Sequence, residues 1–108
     1  MFDCVVTQRV IPGREAEFEA LIQQLEANTL ACDEGCLRYE WYLSEIPQTY
    51  ILVERWKDRA AAEAHLLAPH FVSLLPKLRD CATEWFTIAR LTRLAQSPQE
   101  ETGNAAVG

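Results

Sequence analysis

The spacing of apolar residues changes several times along the chain, and each change predicts a new secondary-structure element. Residues 2–10 (FDCVVTQRV) are rich in β-forming side chains, and the Pro12-Gly13 pair ends the run, which predicts a first strand. From residue 14 the apolar residues recur at helical spacing instead, at Phe18, Leu21, Ile22, Leu25 and Cys32. This spacing predicts a long amphipathic helix that ends near residues 33–35, where Gly35 can stop it.

Two strand-like runs follow this helix, with a turn between them. Residues 36–43 (CLRYEWYL) and 49–56 (TYILVERW) are rich in aromatic and β-branched side chains. The intervening SEIPQ contains Pro47, which suits a turn and not a hydrogen-bonded ladder. The two runs therefore predict an antiparallel hairpin.

Helical segments and a last strand complete the pattern. Asp58 can cap an alanine-rich helix that runs to about Leu67, and Pro69 should break this helix. A further helical turn or two, which Pro76 should kink, carries the next apolar residues, Phe71, Leu74, Leu75 and Leu78. Residues 83–94 (TEWFTIARLTRL) predict the last strand.

The predicted order is strand, helix, strand, strand, helix, strand, which is typical of an α+β ferredoxin-like fold with a four-stranded antiparallel sheet. Both helices should pack on one face of this sheet. A length of 108 residues suits one domain, which we predict over residues 1–94. The remaining residues, 95–108 (AQSPQEETGNAAVG), are small and polar, and we predict a flexible C-terminal tail.

The predicted strands are apolar on both faces. Tyr50 and Leu52 alternate with Ile51 and Val53, so apolar side chains point to either side of the sheet. Two helices cover only one side, and at roughly 25 cal/mol per Å² an uncovered second face would forgo several kcal/mol of stability. A second copy of the same sheet is the simplest cover, which predicts a homodimer.

The net charge and the N-terminus exclude several classes of partner. The formal charge is −6, and the ten basic residues are scattered, so we expect no nucleic-acid partner and no acidic membrane surface. The N-terminus has neither the basic region nor the cleavage site of a signal peptide, and no apolar run is long enough to span a membrane. The expected location is cytoplasmic.

Motifs for tightly held cofactors are missing from the sequence. It contains no GxGxxG or Walker loop to hold phosphates, and no HExxH or CxxC pair to hold a metal. The four cysteines, Cys4, Cys32, Cys36 and Cys81, are expected to be small buried thiols. Any chemistry is therefore predicted to need no cofactor.

The only two histidines, His65 and His70, are candidates for a general base, because imidazole titrates near neutral pH. They lie on either side of Pro69, so two helices joined by a turn can bring them together or send them apart. A metal site is not favoured, because no third ligand is visible nearby in the sequence. The alternative is that each histidine caps a helix or lies on the surface.

Glu54 and Trp56 share one face of a strand and lie where that strand ends, a common position for the mouth of a pocket. A carboxylate on an apolar strand needs a partner, so we expect Glu54 to pair with Arg38, Arg90 or a helix residue. A structural ion pair for Glu54 and plain core packing for Trp56 are the alternatives. The many aromatic side chains, among them Tyr39 and Phe71, suit either a planar substrate or an ordinary core.

Three segments together resemble a known family. They are PGREAEFEALIQQLEA, EGCLRYE and YILVERWKDRAAAEAHLLAPHF, and in this order and spacing they resemble the antibiotic biosynthesis monooxygenases, including the quinol monooxygenases. The resemblance covers residues 1 to about 93. It implies a dimeric α+β barrel, in which two ferredoxin-like sheets pack face to face, with a pocket between sheet and helices in each subunit.

The resemblance also implies an activity. Characterised members oxidise phenolic or hydroquinone-like substrates with O2 and use no flavin, haem or metal. On this basis Trp56 would line the pocket and bind a substrate oxygen, His65 or His70 would accept the proton, and Glu54 would orient its neighbours. Tyr39 and Phe71 would shape the wall that contacts a small aromatic or quinone-like molecule.

Two alternative functions remain open at this stage. Some relatives isomerise a phosphorylated sugar derived from autoinducer-2, although few basic residues lie near the histidines here. The haem-degrading relatives use an asparagine on the first strand, and residues 2–10 contain none. A non-catalytic, stress-associated dimer that shelters a small hydrophobic ligand is the other alternative.

Overall fold

The computed structural model of the protein describes residues 1–95. It has four strands and four helices in this region, in the order β1 (Phe2–Arg9), α1 (Glu15–Cys32), β2 (Cys36–Leu43), β3 (Thr49–Trp56), α2 (Arg59–His65), α3 (Pro69–Val72), α4 (Leu75–Cys81) and β4 (Thr87–Leu91). The strands form one antiparallel sheet in the order β2-β3-β1-β4. The α+β ferredoxin-like fold expected from the sequence is confirmed.

The predicted hairpin is confirmed with its expected bounds. β2 and β3 pair along their length, with Tyr39 opposite Glu54 and Leu43 opposite Tyr50, and the register shifts once, between Cys36 and Arg38. Gln48 has a positive φ of 59° in the connecting turn, a conformation that a tight reversal often requires. The register places Tyr39 and Glu54 next to each other on the helix side of the sheet.

The helical region after β3 differs in detail from the prediction. Asp58 caps α2 as expected, because its side chain accepts a hydrogen bond of 2.9 Å from the Ala61 backbone N–H. The helix ends at His65, slightly earlier than predicted. Pro76 does not kink a helix; it lies in the first turn of α4, where the missing N–H of proline costs no hydrogen bond.

The last strand is shorter than the predicted 83–94 and spans Thr87–Leu91. The residues just before it bind the end of β1 in another way. The Thr83 backbone N–H donates to the Arg9 carbonyl, and the buried Gln8 side chain donates to the Glu84 carbonyl. These contacts take the place of a regular ladder there, so pairing with β1 begins only at Thr87.

The helices cover one face of the sheet, and the core lies between them. Phe18 of α1 is fully buried, and its ring contacts Trp41 of β2 and Tyr50 of β3 at centroid distances of 5.8 and 4.9 Å. Along each strand, every second side chain points away from the helices, and the register aligns these side chains on the opposite side of the sheet, which we call the outer face. The outer face carries Val5, Thr7, Ile51, Val53, Ala89 and Leu91.

The sequence predictions for the rest of the chain have different outcomes. The predicted tail, residues 95–108, lies outside the described residues apart from residue 95. The four cysteines are free thiols, but only Cys4 and Cys81 are buried, whereas Cys36 is partly exposed and Cys32 is exposed. Within residues 1–95, no helix combines the length and apolar character needed to cross a membrane.

Candidate functional site

A cavity opens between the helix side of the sheet and the segment from α2 to α4, and we call it the site cavity. The cavity and its open mouth together span about 410 Å³, part of which is open to solvent. Most of the lining is apolar, and its polar members are Tyr39, Glu54 and His65. The remaining lining residues are Val6, Leu25, Trp41, Leu52, Leu66, Phe71, Leu78, Phe86 and Ile88. An apolar cleft with a few convergent polar groups is typical of a small-molecule site.

His65 is the titratable group most firmly placed in this site. It is the last residue of α2 and is 3% exposed. Its ring packs between aromatic rings, with the centroids of Trp56 and Phe71 at 5.0 and 4.9 Å. These contacts fix the plane of the imidazole and leave its two nitrogens to bind different partners.

The two ring nitrogens of His65 have partners on opposite sides. The Nδ1 atom lies 2.5 Å from Oδ2 of Asp33, the residue that follows α1. The Nε2 atom lies 3.3 Å from the hydroxyl of Tyr39, which also lines the site cavity. A distance of 3.3 Å is long for a hydroxyl hydrogen bond. A substrate hydroxyl can therefore compete with Tyr39 for this nitrogen.

His70 reaches the same carboxylate from α3. Its Nε2 atom lies 2.9 Å from Asp33 Oδ1, which is an ion-pair distance. The two groups are not aligned for a hydrogen bond, however, and this nitrogen has no hydrogen-bond partner among the residues that the structure describes. His70 is not among the residues that line the site cavity, and its ring centroid lies 6.1 Å from that of His65.

Asp33, His65 and His70 could also hold a metal ion, because their ligand atoms lie within 4.8 Å of one another. The third ligand that the sequence did not reveal is thus present. The closest ligand atoms are only 2.5 and 2.9 Å apart, whereas those around a tetrahedral zinc ion lie about 3.3 Å apart. The three groups would have to spread to admit an ion, and as placed Asp33 and His65 already bind each other.

Glu54 is bound differently from the prediction. Its Oε1 atom accepts a hydrogen bond of 2.8 Å from the indole N–H of Trp56, the next residue on the same face. The expected pairing with Arg38, Arg90 or a helix residue is not observed in residues 1–95: Arg38 pairs with Glu40, and Arg90 lies over the ring of Phe2. The indole N–H is a better partner here because it needs no second buried charge.

Burial shifts the pKa values of the polar groups in the cavity in opposite directions. Desolvation raises the pKa of Glu54, although the hydrogen bond from Trp56 lowers it. Desolvation lowers the pKa of His65 in spite of the neighbouring Asp33. Desolvation also raises the pKa of Tyr39 well above its ordinary value. At neutral pH the cavity therefore presents a neutral imidazole beside a protonated phenol.

The structure brings together most of the residues that the sequence singled out. Tyr39, Glu54, His65 and Phe71 line the site cavity. Trp56 is fully buried and is not among the lining residues. Its indole N–H donates a hydrogen bond to Glu54, and not to a substrate oxygen as the resemblance implied. Asp33 was missed altogether, because an aspartate next to a helix-ending glycine looks like part of an ordinary helix terminus.

Comparison with known proteins assigns the chain to a family. The family model described as antibiotic biosynthesis monooxygenase matches residues 1–75, which include the hairpin, α2 and most of the site cavity. The chain belongs to the antibiotic biosynthesis monooxygenase family. A Synechocystis protein described as uncharacterised is 30% identical over 73 residues, which are 67% of this chain and 49% of that protein. The chain thus spans about half the length of this relative.

Solved structures support the same fold. A conserved protein from Methanosarcina mazei is 30% identical and superposes with a TM-score of 0.79 over 83% of this chain and 89% of its own. A Pseudomonas aeruginosa protein is 25% identical, with a TM-score of 0.78 over 87% and 94% of the two chains. A structure described as an antibiotic biosynthesis monooxygenase is 22% identical and shows the fold alone, with a TM-score of 0.82 over 88% and 100%.

Proposed function

We propose that this member of the antibiotic biosynthesis monooxygenase family oxidises a small phenolic or quinol-type substrate with O2 and without a cofactor. The observation that carries the proposal is the neutral imidazole of His65, whose Nε2 atom lies beside an aromatic and apolar cavity. A base in such a position can remove a phenolic proton. The family membership supports the same reaction class.

Each cavity residue has a separate role in this reaction. His65 Nε2 takes the phenolic proton, and the electron-rich phenolate then reduces O2 directly. One oxygen atom of O2 bonds to a ring carbon and the other leaves as water, so a phenol and O2 give a quinone and water. Phe71 and the other apolar lining residues exclude bulk water from the reacting pair. Tyr39, held protonated by burial, donates a hydrogen bond to the substrate oxygen or to His65.

The substrate class is tested by oxygen consumption with a panel of phenols and hydroquinones. We expect enzyme-dependent O2 uptake with single-ring substrates, and incorporation of one labelled oxygen atom per product when ¹⁸O2 is supplied. If no member of the panel raises O2 uptake above the uncatalysed rate, the proposal fails. Thermal stabilisation by a ligand without turnover would indicate a binding protein instead.

A second candidate function rests on the opposite pKa shifts in the cavity. Glu54 has a raised pKa and His65 a lowered one, and such a pair can act as acid and base in moving a proton along a substrate. Isomerisation of a small hydroxyketone is the corresponding reaction. Among residues 1–95, no lysine or arginine lines the cavity, which disfavours a phosphorylated substrate. NMR detection of an isomer formed under anaerobic conditions would favour this candidate over oxygenation.

We also propose that the protein is a homodimer whose two sheets pack through their outer faces. The outer face carries Val5, Ile51 and Val53 at its centre, and every helix of the described region lies on the other side. Polar pairs flank this apolar strip, including Arg55 with Asp3 and Arg38 with Glu40. An apolar centre with a polar rim is the usual composition of a protein interface.

The dimer is tested by analytical ultracentrifugation at micromolar concentration. The wild type should sediment as a dimer, and Val53→Lys should sediment as a monomer, because the substitution would bury two unpaired charges at the interface. Gln24→Lys, on the exposed side of α1, is the matched control and should remain dimeric. A monomeric wild type at this concentration would contradict the proposal.

A further inference from the structure

The Asp33 carboxylate is shared by both histidines of the protein. Its Oδ2 atom lies 2.5 Å from His65 Nδ1, and its Oδ1 atom lies 2.9 Å from His70 Nε2. The side chain is 10% exposed, so it is largely removed from water. A carboxylate at this depth, with an imidazole at each oxygen, is well suited to orient a reactive histidine.

We infer that Asp33 selects the ring tautomer of His65 that turns the Nε2 lone pair toward the site cavity. Asp33 is then a positioning residue for the reaction, and this role rests on the proposed function of His65 as the base. The reason is chemical: an ionised carboxylate can only accept hydrogen bonds, so the imidazole proton must lie on Nδ1. The Nε2 atom is left with its lone pair, directed at the Tyr39 hydroxyl and at a substrate.

No other neighbour of His65 makes this selection. The rings of Trp56 and Phe71 pack against the imidazole at tilted angles of 39° and 49°, and apolar contacts of this kind do not distinguish between the two nitrogens. Tyr39 lies at Nε2, and its hydroxyl can donate or accept, so it is compatible with either tautomer. His70 lies near Asp33 and not within hydrogen-bond reach of a His65 nitrogen. Among the described residues, the choice depends on Asp33.

The side chain of Asp33 can be replaced without removing the end of α1. The backbone makes the contacts there: the Asp33 N–H donates to the Thr29 carbonyl at 2.9 Å, and the Asp33 carbonyl accepts from Cys36 at 3.1 Å. Any residue keeps these bonds. Asp33→Leu removes the acceptor, and Asp33→Asn keeps the size but removes the charge. Glu34→Gln is the matched control, because the neighbouring carboxylate is exposed.

The tautomer is measured directly by ¹H–¹⁵N NMR of the full chain with ¹⁵N-labelled histidine, at about pH 8, which is above the lowered pKa of His65. With only two histidines the spectrum is simple, and His70→Gln assigns it. We expect wild type and Glu34→Gln to show a protonated Nδ1 and an unprotonated Nε2 on His65. In Asp33→Leu the proton should move to Nε2 in a large fraction of molecules, and Asp33→Asn should give an intermediate result.

The kinetic consequence separates positioning from a structural effect. With an oxidisable phenol, Asp33→Leu should lower kcat about 100-fold or more while KM changes little, since the substrate still binds but meets the wrong tautomer. A wild type with the proton on Nε2, or an Asp33→Leu variant that keeps it on Nδ1, would overturn the inference. The NMR result needs no substrate, so the inference can stand even if no phenol is oxidised and the proposed function fails.

Discussion

His65→Gln will lower kcat for oxygen consumption about 10²–10⁴-fold, with a much smaller change in KM. The glutamine amide can occupy the space of the imidazole and still reach Asp33 and Tyr39, but it cannot accept a proton near neutral pH. The loss should therefore fall on the chemical step and not on binding or folding. The measurement is steady-state O2 uptake with the best phenol of the panel, accompanied by circular dichroism to check that the variant is folded.

Glu63→Gln is the matched control for this variant. Glu63 lies on the same helix, two residues from His65, and within residues 1–95 its exposed side chain pairs with Arg59 alone. Loss of an exposed ion pair costs at most about 1 kcal/mol, and kcat should stay within a few fold of the wild type. If His65→Gln retains the wild-type rate, His65 is not the base. Glu54, whose carboxylate also lines the cavity, is then the next candidate base to test.

Trp56→Ala should lower the free energy of unfolding by about 3–5 kcal/mol. Trp56 is 0% exposed and contacts the rings of Tyr39 and His65, so its removal leaves a large void behind the site cavity. The variant also leaves Glu54 without its indole donor. Urea unfolding followed by circular dichroism measures the loss, which should be among the largest of any single substitution in this chain.

Trp56→Phe isolates the hydrogen bond from the packing, and its cost should depend on pH. Burial raises the folded-state pKa of Glu54, and the indole N–H lowers it, so phenylalanine will raise this pKa further. A carboxyl group with a raised folded-state pKa favours the native state at low pH, and this stability is lost as pH rises through that pKa. Trp56→Phe should therefore cost about 1–3 kcal/mol near pH 8 and less near pH 4.

Glu54→Gln in the same background provides the control for this interpretation. The double variant has no ionisable group at residue 54, so the extra cost of Trp56→Phe at high pH should disappear. A pH-independent cost in the single variant would mean that the pKa of Glu54 does not depend on Trp56. In that case the hydrogen bond between the two side chains contributes little to the free energy of unfolding.

Much of the fold follows from local patterns in the sequence. The bounds of β2 and β3 were predicted as observed, because aromatic and β-branched runs on either side of Pro47 are compatible with little else than a hairpin. The helix α1 followed from a regular apolar spacing. The errors fall where tertiary contacts override a local pattern, as in residues 83–86, whose backbone groups bind Arg9 and Gln8 instead of extending β4.

The site was predicted only in part, because the sequence indicated its side chains but not the partners that they bind. His65, Glu54, Tyr39 and Phe71 stood out as titratable or aromatic residues in the matching segments, and all four line the site cavity. The partner of Glu54 was predicted wrongly, since a carboxylate was assumed to need an opposite charge. An indole N–H two residues away satisfies it at lower cost.

The sequence by itself determined the order of the elements, the faces of the strands and the presence of a histidine beside aromatic residues. These features depend on side-chain periodicity and on turns, which are both set by residues close together in the sequence. Only the tertiary structure decided that Asp33 lies against His65, 32 residues further along the chain. That contact exists because α1 and α2 end at the same corner of the sheet, and no local pattern specifies where two distant helix ends meet.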